Sequence, residues 1–274
     1  SGCDAYLGKL TFGGNITFID ENGPARLHLT ANNNALYLAF TVPSMLTIVC
    51  EATNCLYSTT TVGQLYLNSN RALTNGRSFD LNGYDQTIRT ITKNNYSEGL
   101  DRPEQIYSAT PAVLTLNGIS TTARVPTTDF TLPMQFRGKT SFKLNIPADA
   151  TLHLSYGKSD STETLEVAGG TLDFTQNAGW GGTNVVVSGG TLNVNSQYSI
   201  SNANARLVVS AGMLVLNANA KVKSANIGGV ELDPGAYALE DLPTAAQAYV
   251  SGASKLYVDY EEWQVTYKTS YWKG

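Results

Sequence analysis

Apolar and polar positions alternate along most of this chain, in runs of strand length. Leu27-His28-Leu29, Leu36-Tyr37-Leu38, Leu65-Tyr66-Leu67, Val113-Leu114-Thr115-Leu116 and Phe142-Lys143-Leu144-Asn145-Ile146 read as strands, with every second side chain on one face. Asn, Gly or Pro tends to separate such runs, as turns require. No window of a dozen residues combines a 3.6-residue period with good helix formers. The best helical stretch is Pro243-Thr244-Ala245-Ala246-Gln247-Ala248-Tyr249, a turn or two long. The pattern predicts an all-β protein.

Between residues 163 and 232 the pattern repeats itself. The first copy is Leu165-Glu166-Val167-Ala168-Gly169-Gly170-Thr171-Leu172-Asp173-Phe174, and the second is Val185-Val186-Val187-Ser188-Gly189-Gly190-Thr191-Leu192-Asn193-Val194. The third is Leu207-Val208-Val209-Ser210-Ala211-Gly212-Met213-Leu214-Val215-Leu216, and a degenerate fourth lies at Ala225-Asn226-Ile227-Gly228-Gly229-Val230-Glu231-Leu232. A period of roughly 20 residues built of short strands points to a solenoid. Leu165 and Val167 face inward, then Leu172 and Phe174 after a bend. Gly169, Gly170, Gly189, Gly190, Gly212 and Gly229 occupy the bends, where a tight or left-handed backbone excludes a Cβ. Coils stacked at about 4.8 Å pair their strands in parallel and share one interior. The Asn residues between strands, among them Asn193, Asn195, Asn202 and Asn217, suit turns or stacked ladders. One domain over residues 1–260 is expected, with less regular coils in 1–160 and regular Gly-cornered coils in 161–260.

Three segments add a resemblance. Phe79-Asp80-Leu81-Asn82-Gly83-Tyr84-Asp85-Gln86-Thr87-Ile88, Thr110-Pro111-Ala112-Val113-Leu114-Thr115-Leu116-Asn117-Gly118 and the Gly-Gly-Thr-Leu corners at 169–172 and 189–192 resemble autotransporter-associated β-strand repeat proteins. Gly229-Val230-Glu231-Leu232-Asp233-Pro234-Gly235-Ala236-Tyr237 is similar to the closing segment of large bacterial surface proteins built from these repeats. The resemblance implies a right-handed parallel β-helix, about 20–22 residues per coil, secreted to the bacterial cell surface or beyond. One departure is Gly138-Lys139-Thr140-Ser141-Phe142-Lys143-Leu144, which stands where the family carries a Gly-rich strand.

Composition narrows the function classes. Charged residues make up 15% of the chain and the formal net charge is −4, so the basic face of a nucleic-acid binder is missing. No apolar run approaches the ~20 residues of a membrane-spanning helix. Hydrophobic residues at 42% argue for a folded chain.

Candidate chemistry is sparse. Cys50 and Cys55 are close enough in sequence to close a small disulfide loop, or they are two buried thiols. No Cys or His spacing fits a metal site, and no cofactor motif occurs. His28 and His153 each sit in Leu-His-Leu, which turns the imidazole outward as a solvated strand residue. No nucleophile motif accompanies either one, and no catalytic residue is assigned. A polysaccharide lyase or hydrolase on this scaffold would need carboxylates stacked on successive coils. The equivalent positions hold Asp173, Asn193 and Val215 instead. Tyr6, Tyr37, Tyr57, Tyr66 and Tyr84 either stack on sugars or pack as ordinary strand residues.

The ends of such a stack present unpaired backbone. In residues 261–274, Trp263, Val265 and Tyr267 alternate with polar residues, and Tyr271 and Trp272 follow. This is a strand pattern that either caps the stack or adds to a neighbouring subunit. The expected function is a non-catalytic extracellular structural or adhesive protein that polymerises head to tail. Its expected partners are further copies of itself, other cell-surface components, or glycans. The alternatives are a polysaccharide-degrading enzyme or a carbohydrate-binding module on the same scaffold.

Overall fold

A computed structural model of the 274-residue chain describes residues 3–9, 14–17, 25–31, 38–42, 46–55, 64–69, 79–88, 90–93, 104–122, 125–132, 134–155, 158–175 and 178–260. Among them nearly all regular structure is strand, and most strand pairs are parallel. This is consistent with a β-solenoid. The single α-helix among the described residues, Thr244–Gln247, follows Pro243 within the stretch expected to be helical.

Register partners line up as columns of side chains through the interior. Leu27, Ile48, Phe79, Ile106 and Phe136 form one column, none more than 1% exposed. Leu114, Phe142, Leu165, Val185, Leu207 and Ala225 form a second, and all are buried. Phe130, Leu152, Leu172, Leu192, Leu214 and Val250 form a third. Each level hides its apolar side chains only against the levels above and below it, so one continuous core joins them.

The spacing of partners is less even than the repeats predict. Along Phe130, Leu152, Leu172, Leu192 and Leu214 the partners recur evenly, roughly 20 residues to a level. Along Ile48, Phe79, Ile106 and Phe136 each level takes visibly more chain. Chain length between paired strands costs little, because only the strand ends must meet.

The bends work as the alternation demands. In Asn184–Val194, Val185 and Val187 are buried, then Leu192 and Val194. Crossing Ser188-Gly189-Gly190 therefore moves the inward set from odd to even positions, and the pairing with Arg206–Leu216 slips at the same place. Gly170, Gly190 and Gly212 sit above one another here. A Cβ on Gly190 would lie 2.6 Å from the carbonyl oxygen of Gly170, and one on Gly212 would strike that of Gly190. Gly170 and Gly212 also have φ of +69° and +82°, so glycine is required on both counts. At Gly169 and Gly189 φ is ordinary, and a Cβ would strike the carbonyl oxygens of Ile146 and Ala168.

Two departures from the repeat have physical causes. Gly229, expected as a fourth bend, is the second residue of a two-residue hairpin loop. Gly228 and Gly229 have φ of +61° and +82°, the paired positive values of a type I′ turn. Ser224–Ile227 still runs parallel to Arg206–Leu216, but Val230–Glu231 returns antiparallel to it. The regular repeats therefore end near residue 227. Residues 228–258 add this hairpin, the short helix, Val250–Gly252 and Leu256–Val258 parallel to Leu214–Leu216 and Ala220–Val222, and Gly235–Tyr237 antiparallel to Leu256–Val258. The second departure is the bend beside Gly138, φ +65°. Buried Thr140 donates its hydroxyl to the Arg137 carbonyl at 2.8 Å, and Ser161 donates to the Thr140 carbonyl at 2.5 Å. Here hydroxyls satisfy the backbone of the bend, and a Gly-rich strand is not needed.

Candidate functional site

The two histidines point outward from their strands, as period two predicts, yet neither is a solvated bystander. His28 is 9% exposed. Its Nδ1 lies 2.5 Å from Glu51 Oε1 and its Nε2 3.9 Å from Asp4 Oδ1. Tyr6, its register partner, stacks on the imidazole with centroids 4.5 Å apart and planes at 19°. His153 repeats the arrangement on another stretch of the same stack. Asp129 Oδ1 is 3.0 Å from Nε2, and Asp173 Oδ2 is 2.8 Å from Nδ1. The Asp173 carboxylate is close to the ring nitrogen without the alignment of a hydrogen bond.

The ladder continues past His153. Asn195 donates its Nδ2 to Asp173 Oδ1, and Asn217 donates its Nδ2 to Asn195 Oδ1 at 2.8 Å. Asp129, His153, Asp173, Asn195 and Asn217 thus form a polar line along successive levels. A parallel line has Lys143 3.0 Å from Glu166, which also accepts from Ser188 at 2.7 Å. In a third, Arg137 makes a bidentate contact with Asp160, at 2.9 and 2.7 Å, and reaches Gln105 at 3.2 Å.

Chemically these lines join neighbouring levels by polar contacts, with Lys143–Glu166 and Arg137–Asp160 as charge pairs. A general base must turn a ring nitrogen to substrate, whereas both nitrogens of His153 face carboxylates. Asp4, Glu51 and Asp129 lie outside the Gly-cornered copies, where only Asp173 stands at a recognisable repeat position. The available signal was an acid one level before and one level after each histidine: Asp4 and Glu51 around His28, Asp129 and Asp173 around His153. Among the described residues no group of three or more His, Cys, Asp or Glu is placed to hold a metal ion.

Cys50 and Cys55 stand as two buried free thiols. The loop between them docks on buried Gln86, whose Nε2 donates to the Ala52 carbonyl at 2.9 Å while Cys55 donates to its Oε1 at 3.4 Å. Burial, then the Cys55 thiol, pushes the Cys50 thiol well above its usual titration range. Of the tyrosines, Tyr6 and Tyr84 are exposed. Tyr66 lies on the strand Gln64–Ser69, and Tyr37 and Tyr57 fall outside the described residues, as do Trp263, Val265, Tyr267, Tyr271 and Trp272.

Among the described residues no helix is long and apolar enough to cross a membrane. No family model, curated protein or solved structure matches the chain.

Proposed function

We propose that this protein is a non-catalytic structural or adhesive element of the bacterial cell surface. In this reading it is a right-handed parallel β-helix with about 20–22 residues per coil in its regular part. Its subunits join head to tail by strand addition. The observation that carries the reading is the edge left unpaired at the N-terminal strand of the parallel stack. Strand Cys3–Leu7 pairs along one edge with Ala25–Leu29, and among the described residues no strand registers on its other edge. Tyr6, on that strand, is 64% exposed. At the far end the chain turns antiparallel, in Val230–Glu231 and Gly235–Tyr237. An uncovered edge of backbone donors and acceptors recruits a strand. The alternating Trp263-Gln264-Val265-Thr266-Tyr267 segment has the pattern of such a strand. Contacts of this heterologous kind generate open fibres unless rotation closes them.

Two further features support a structural role. Charged and amide side chains are spent on joining levels, and both imidazoles are held between carboxylates. The extracellular assignment rests on the segments that resemble exported repeat proteins. The test is electron microscopy and light scattering of the full chain beside a variant lacking residues 261–274. Fibres that lengthen with concentration, and that the deletion abolishes, are expected. A full chain that stays monomeric at every concentration, or fibres unchanged by the deletion, refutes the assembly.

A further inference from the structure

The C-terminal levels enclose a groove of about 500 Å³, within the range of roughly 300–1,000 Å³ common for ligand sites. Buried Ile200 and Ala220 contribute to its lining. Tyr198, Tyr257 and Tyr260 also line it. The rings of Tyr257 and Tyr260 lie 5.9 Å apart at 33°, and Tyr260 is 37% exposed. Gln197, Ser201, Asn219 and Lys221 supply the groove's polar lining. Asn219 accepts the Lys255 backbone N–H at 3.0 Å through Oδ1. That bond orients its amide and keeps Nδ2 as a donor. Lys221 is the register partner of Tyr257. Lys143 and Lys223 are each paired with a carboxylate, whereas Lys221 has no such partner among the described residues.

This combination selects a ligand class. An apolar ligand would leave the amides and the ammonium group unsatisfied. A nucleic acid needs several cations along its phosphates, and among the described residues the groove lining offers one, on a net charge of −4. A sugar has C–H faces for tyrosine rings and hydroxyls for amides, and one carboxylate answers one unpaired ammonium group. We propose that the groove binds a short acidic oligosaccharide, with sugar faces on Tyr257 and Tyr260 and a uronate carboxylate at Lys221. This is a binding activity in addition to the structural role, and it does not depend on polymerisation.

Calorimetry of the full chain tests it with three acidic probes, tri-galacturonate, tri-mannuronate and a hyaluronan tetrasaccharide, against neutral maltotriose. At least one acidic probe is expected to saturate and to bind at least about tenfold tighter than maltotriose, the discrimination that one hydrogen-bonded charge supplies. Lys221→Met should remove that preference, and Tyr260→Ala should weaken every probe that binds. Both positions are exposed, so melting temperatures should not move. The proposal is overturned if no acidic probe saturates, if maltotriose binds as tightly, or if both variants bind like the parent.

Discussion

At the scale of single residues, backbone proximity dominates. Gly190 has no room for a methyl group beside the carbonyl of Gly170, and relieving the clash means parting two levels. Gly190→Ala should cost about 2–3 kcal/mol, read as a lower urea midpoint at unchanged slope. A Gly190→Ala protein as stable as the parent would show that the levels separate freely at this bend. The cysteines offer a second check. The Cys50 thiol is buried and its pKa is raised, chiefly by desolvation and then by Cys55. The thiolate, which is the reactive form, is therefore scarce at mildly alkaline pH. Cys50 and Cys55 should resist a thiol reagent in the native protein and react after denaturation. Rapid native labelling of Cys50 would contradict the packing around Gln86.

At the scale of elements, strands are tied together by what they carry outward as well as inward. His153 is bracketed by Asp129 and Asp173, with side-chain exposures of 23% for the histidine and 16% for Asp173. Replacing Asp173 by Ala removes the partner of both His153 and Asn195, and should destabilise by about 1–2 kcal/mol. A double-mutant cycle between His153 and Asp173 should give a coupling of about 0.5–1 kcal/mol. A coupling of zero would reduce the contact to coincidence. The hairpin at Gly228-Gly229 belongs to this scale too. Its two left-handed residues turn the chain back on itself, so that Val230–Glu231 runs antiparallel to the strand before it.

Across the whole molecule, each level touches mainly its neighbours, so stability is close to a sum of local terms. Strands Asn184–Val194 and Arg206–Leu216 are paired on both sides with closely spaced partners. Strand Cys3–Leu7 is paired on one side. Hydrogen exchange of the unassembled protein should be slowest in the first two and fastest in the last. Uniform protection along the chain would mean that the stack opens as one cooperative block. In the assembled state the N-terminal strand should become protected if a neighbouring subunit supplies its missing partner.

Period-two alternation and the recurring Gly-cornered copies were enough, read from the sequence, to place Leu165, Val167, Leu172 and Phe174 inside and to predict an all-β chain. The sequence also placed the helical turn after Pro243. These are local statements: a strand's alternation and a proline's fixed φ need no distant partner. What lay beyond the sequence depended on which levels meet. The uneven spacing from Ile48 to Phe136 is visible only once register pairs the strands. The acids around His28 and His153 stand a whole level away along the chain and become neighbours only through register. The groove of Tyr198, Lys221, Tyr257 and Tyr260 likewise joins segments that are distant in sequence. Stacking alone brings such segments together, because a parallel ladder converts one turn of chain into a single interstrand step of about 4.8 Å.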